Sequence, residues 1–210
     1  MRWVATATLL TACLSAAAQD DYAATAARRA TAAVAAAGPL DADKAERARA
    51  AVAAHYIALN AAHTVRDQAV AAAGADKDAA AAVRARAEAA AKEVHTRFVR
   101  DLAAVLAPAQ VEAVKDHMTY GVLPNTLKAY REMLPALTEP QAARVRELLL
   151  VGREEALTAG SSEAKHATFG RAKGRVNNYL SAQGYDLKKA GEEWAERRRA
   201  EAAKQKGPAN

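Results

Sequence analysis

Residues 51 to 100 contain 20 alanines. Alanine is the strongest helix former because its side chain loses no rotamer freedom on ordering. No run of β-branched residues anywhere in the chain predicts a strand, and nearly every segment repeats its apolar positions with helical period. The chain is therefore expected to be all-α, a long N-terminal αα-hairpin packed with a C-terminal bundle of shorter helices. Only 5% of the residues are aromatic, so the core falls to Leu, Val and Ala, and helices must approach closely to fill it. Genome composition alone produces such an alanine bias, so it argues for helix and says nothing about activity.

Helix ends are written in turn and cap residues. A first helix over residues 22–37 stops at Gly38-Pro39. Asp41 caps a long helix to about Ala73 with Val52, Tyr56, Leu59, His63 and Val70 near one face, and Gly74 interrupts it. A third helix from about Asp78 to Leu106 buries Val83, Ala87, Val94, Phe98, Leu102 and Leu106. "LAPAQVEAVKDHM" starts a helix after Ala107, with Pro108 in the first turn where its missing N–H costs nothing. "TYGVLPN" reads as a break, and residues 126–134 as a short helix. "LTEPQ" sets Thr138 three residues before Gln141, a capping-box spacing. Ser161 or Ser162 caps the next helix, Gly184 ends it, and Asp186 caps the last one. One domain is expected over residues 19–195, alanine-rich in 20–106 and motif-rich in 107–195, followed by a charged tail, 196–210, that frays.

"MRWVATATLLTACLSAAA" reads as a secretory signal: Arg2, an apolar run to about Leu14, then Ala16 and Ala18 in the small-residue arrangement that precedes cleavage. Cleavage after Ala18 is expected. The alternative takes "LTAC" as a lipobox with Cys13 lipidated. The apolar run is too short to span a bilayer, and no later stretch is a transmembrane candidate. Cys13 is the single cysteine of the chain, so the first reading leaves no thiol for disulfides or metal binding. In a secreted chain the formal charge of +6 points away from nucleic acid and toward acidic glycans, anionic surfaces or plain solubility.

One segment departs from the alanine background: "SSEAKHATFGRAKGRVNNYLSAQGYD", residues 161–186. On a helical projection Phe169, Ala172, Val176, Tyr179 and Leu180 face the core, while Arg171, Arg175 and Asn178 face solvent. Between them runs a strip of His166, Gly170, Lys173, Asn177 and Ser181, with Gly174 close by. Two readings stay open. Gly170 and Gly174 permit close approach of another helix whose polar groups His166 and Asn177 satisfy. Alternatively the glycines floor a groove into which His166, Lys173 and Asn177 direct hydrogen bonds to a polar ligand.

The runs "VKDHMTYGVLPNTLKAYREMLPALT", "GREEALTAGSSEAKHATFGRAKGRVNNYLSAQGYDL" and "EEW" resemble the bacterial family known as domain of unknown function 3826, over roughly residues 105–195. The resemblance implies a secreted, sugar-binding protein and carries over no catalytic or binding residue. "LTEPQ" is also similar to the LTxxQ signature of helical periplasmic chaperones of the Spy and CpxP type, which implies an envelope-stress role. "LAPAQ" departs from that signature at Ala107.

A sugar suits the residue types. Lys173 and Asn177 reach ring hydroxyls, Tyr120, Tyr130, Tyr185 or Trp194 offers a stacking face, and Arg175 or Lys173 favours a carboxylated sugar. The expected ligand-binding set is His166, Lys173, Asn177, Tyr120, Tyr130, Arg175, Asn178 and Tyr185, with Tyr179 and Trp194 packing inside. A glycan-cleaving reading would assemble Glu154, Glu155, His166 and Asp186 into an acid–base pair. However, "GREEALTA" is more simply a solvated charge run. No catalytic residue is assigned. His55, His63, His95, His117 and His166 show no metal-ligand spacing, and no cofactor motif occurs. The expected function is a secreted, non-catalytic binder of carbohydrate or a similar polar ligand, with the chaperone and the glycan-active enzyme as alternatives.

Overall fold

The computed structural model describes residues 21–205; the leader, the Cys13 lipobox and the last five residues lie outside them. Among the described residues there are helices and no strand. The helices are α1 (21–35), α2 (Ala42–Ala73), α3 (Lys77–Ala103), α4 (Pro108–Met118), α5 (Val122–Met133), α6 (Glu139–Leu157), α7 (Ser162–Ala182) and α8 (Leu187–Gln205). They gather into two compact units divided between Met118 and Thr119, where the sequence reading has one domain.

In the first unit α2 and α3 form the expected hairpin. The Asp41 and Asp76 side chains cap the two helices by accepting from the Lys44 and Ala79 N–H groups at 2.8 and 2.9 Å, a satisfaction of orphan amides that fixes where each helix begins. Val52, Leu59, Phe98, Leu102 and Leu106 are buried as the periodicity predicts. So is His55, whose ring stacks on Phe98 with centroids 4.2 Å apart. Alanines are prominent beside them: Ala26, Ala30 and Ala33 of α1, Ala48 of α2, Ala80 and Ala91 of α3 are all buried, as are Val34, Val111, Val114 and Met118.

The second unit has a heavier core. Leu123, Tyr130, Val145, Leu149, Phe169, Val176 and Leu180 cluster from α5, α6 and α7, and α8 lies against α5 and α7. α6 and α7 fold back on each other, and at their crossing a Cβ on Gly152 would stand 2.4 Å from the Ala172 Cβ. This is the close approach that the sequence reading assigns to Gly170 and Gly174. A Cβ at either of those would meet nothing within 4 Å, because both lie on the outer side of α7. Two element boundaries also move. α5 starts at Val122, not at residue 126, since Pro124 falls in its first turn, where a helix makes no use of the amide. α8 runs on through Gln205 where its charge-rich sequence predicts fraying from 196; Arg197 ties it down by donating to the Glu132 carbonyl at 3.0 Å.

Candidate functional site

The structure disperses the expected ligand-binding set. Ser161 Oγ caps α7 by accepting from the Ala164 N–H at 3.1 Å, and this sets the rotation of every later side chain. Lys165, Thr168, Phe169, Ala172, Val176 and Leu180 form the buried stripe. His166, Gly170, Lys173, Gly174 and Asn177 are exposed, and so is Asn178. The strip expected at the edge of the core is thus an open ridge.

Four members of the set, Tyr130, Asn177, Tyr185 and Arg175, are engaged in contacts within the fold. Tyr130 is 7% exposed and donates its hydroxyl hydrogen to Asn177 Oδ1, so it offers no stacking face. Burial also raises its phenol above the ordinary value of 10.0. Tyr185 is half-buried, and its hydroxyl donates to Gln141 Oε1 at 2.7 Å and approaches the Ala136 carbonyl at 3.1 Å. Gln141 Oε1 also accepts from the Thr138 N–H at 3.0 Å. "LTEPQ" therefore acts in the structure as a helix start clamped by Tyr185. Arg175, expected in solvent, is half-buried with Nη2 3.6 Å from Glu155 Oε2 of α6.

Tyr120 and His166 do come together, their rings stacked at 5.4 Å and 13°, and Lys165 Nζ stands 5.8 Å from the same tyrosine ring. Tyr120 is 54% exposed and has φ +60°, with Gly121 following at φ +63°. A left-handed tyrosine is strained by contact between its Cβ and the backbone. The stack with His166 and the ammonium of Lys165 offset that strain. One face of Tyr120 is consequently occupied by protein.

The acid–base candidates are likewise held by neighbours. Glu154 accepts from Nε and Nη2 of the buried Arg153 at 3.1 and 2.9 Å. Asp186 caps α8 by accepting from the Lys189 N–H at 3.0 Å. Among the described residues no group of three or more His, Cys, Asp or Glu could hold a metal ion, and no helix is long and apolar enough to cross a membrane.

Concave surface lies elsewhere in the second unit, on both flanks of α5. α5 turns Leu123 and Tyr130 to the core and leaves Pro124, Asn125, Lys128, Arg131 and Glu132 exposed. Between this ridge and α8 runs a groove of about 700 Å³, lined by Asn125, Lys128, Glu132, Trp194, Arg197 and Arg198 among others. Trp194 is half-buried, and the Arg198 guanidinium lies 5.1 Å from its ring. On the other flank a second groove of about 550 Å³ is floored by Leu123, Pro124 and Leu127, and bounded by Lys128, Arg131 and Arg146. Both volumes fall in the class of small-ligand sites. An indole beside amide, carboxylate and guanidinium groups can stack on an apolar ring face and hydrogen-bond its polar rim. The sequence signal for this site was the spacing Asn125, Lys128, Glu132, which puts three polar groups on one helix face. It goes unread when "TYGVLPN" is taken as a break and Trp194 as core.

A family described as "Protein of unknown function (DUF3826)" matches residues 23–200, which takes in the alanine-rich half as well as the motif-rich one. No curated protein matches the chain.

Proposed function

The chain belongs to the DUF3826 family of proteins of unknown function, and within it we propose a non-catalytic binding protein for carbohydrate or a similarly polar ligand. The observation that carries this reading is the groove between α5 and α8, where Trp194 lies among Asn125, Lys128, Glu132, Arg197 and Arg198. Protein–sugar contacts need one flat apolar surface for the C–H face of the ring and several fixed donors and acceptors for the hydroxyls. In this reading the rim groups meet the hydroxyls, and the C–H face of the sugar takes the side of Trp194 that the Arg198 guanidinium does not cover. The leader-like residues 1–18 support action outside the cytoplasm, where glycans are abundant.

Calorimetric titration of the mature protein with neutral and acidic oligosaccharides tests the reading. Binding is expected in the micromolar to millimolar range, with affinity falling about tenfold in Trp194→Ala, the loss of one stacking contact of roughly 1–2 kcal/mol. Two results would count against it: absence of heat with every saccharide at millimolar concentration, or an unchanged affinity in a folded Trp194→Ala.

A further inference from the structure

The two grooves share Lys128 and Glu132, so the exposed ridge of α5 separates two adjoining basins rather than two unrelated sites. Their charge is lopsided. Lys128, Arg131, Arg146, Arg197 and Arg198 stand against the carboxylates of Glu132 and Glu201. Some of that charge is used locally: Arg131 makes a two-pronged pair with Glu139 at 3.2 and 3.1 Å, and Lys128 Nζ lies 3.8 Å from Glu132. Arg146 and Arg198 make no ion pair among the described residues. They point to the two basins on opposite flanks of α5, one lining each. An exposed guanidinium without a carboxylate partner is the group best shaped to take a carboxylate through two parallel N–H bonds.

Resting on the carbohydrate reading, we infer that the ligand is an acidic oligosaccharide, carboxylated on its sugar rings, which lies across α5 and fills both basins. One sugar stacks in the Trp194 groove with its carboxylate toward Arg198. The chain crosses the ridge at Lys128, and a neighbouring sugar sets its C–H face on Pro124 and Leu127 with its carboxylate toward Arg146. A single sugar cannot span the ridge, so affinity requires length as well as charge. Each basin binds weakly, and joining the two makes the second contact intramolecular.

The test titrates the full mature chain with a galacturonic acid monomer, a galacturonic acid tetramer and a neutral glucose tetramer. The acidic tetramer is expected to bind at least about tenfold more tightly than either of the others, and Arg146→Gln to reduce its affinity about tenfold, the size of one charge-assisted contact. Arg86→Gln, which removes the same formal charge from an exposed position on α3, is expected to leave that affinity in place. Equal binding of neutral and acidic tetramers, or of monomer and tetramer, overturns the inference and leaves the carbohydrate reading standing. An equal loss in Arg146→Gln and Arg86→Gln also overturns it, because general charge attraction then accounts for the binding. Absence of binding by all three saccharides removes both the inference and the reading beneath it.

Discussion

In the first unit Ala26, Ala30, Ala33, Ala48, Ala80 and Ala91 are buried beside larger residues such as Val52, Leu59 and Leu102, and Phe98 stacks on His55. In the second, Leu149, Phe169, Val176 and Leu180 carry the core, and one glycine, Gly152, brings two helices together. Alanines at these positions let the long helices run side by side. Large residues concentrated at a few positions space the shorter helices unevenly, and the grooves beside α5 are the result. The motif-rich unit holds the two grooves beside α5.

That contrast can be broken at its two anchors first. Phe98→Ala should destabilise the hairpin by about 4 kcal/mol, since it leaves a cavity where a buried ring stacks on His55. Gly152→Val should cost about 3 kcal/mol by forcing α6 from α7. Urea denaturation followed by circular dichroism measures both. In Gly152→Ala the loss should be recovered largely by adding Ala172→Gly, which returns the missing space; a double variant no more stable than the single would show that the approach is not what limits this site.

Gly170 and Gly174 sharpen the comparison because the expected sign reverses. With nothing within 4 Å of either position, the double replacement by alanine should stabilise the protein by about 1–2 kcal/mol through helix propensity alone. A destabilised variant would reinstate a close contact there. Tyr130→Phe is the mildest change, costing about 1 kcal/mol for the hydroxyl bond to Asn177. It also has a pH signature. Burial raises the folded-state pKa of Tyr130 above its usual 10.0, so its contribution is intact below about pH 10 and is lost as pH rises through the folded value, because the unfolded chain ionises first. The phenylalanine variant should therefore lose less stability than the parent between neutral and strongly alkaline pH, as followed by urea midpoints.

Much of the fold was legible because caps and breakers act locally. Asp41, Ser161 and Asp186 each accept the amide three residues on, as their positions before apolar-periodic runs imply. α5 was misplaced because Pro124 can break a helix or open one, and nothing in the neighbouring residues decides between the two. The α7 stripe was read from its apolar members, which hid Lys165 and Thr168 although both sit at the right spacing. A lysine stem can lie along a buried face and deliver its charge to the face of an aromatic ring, here Tyr120. The candidate site was least legible, since a groove is a property of two helices. Asn125 and Trp194 are 69 positions apart in the chain, and no periodicity relates them.

The central claim is that recognition occurs on the flanks of α5 and not on the polar ridge of α7. Amide chemical-shift mapping of the isotope-labelled protein during titration with an acidic oligosaccharide addresses it directly. The expected result is a set of shifts confined to Asn125, Lys128, Ala129, Glu132 and the Trp194 indole, with smaller changes at Leu127 and Arg146. Shifts concentrated at His166, Lys173, Asn177 and Asn178, with α5 and Trp194 silent, would contradict it.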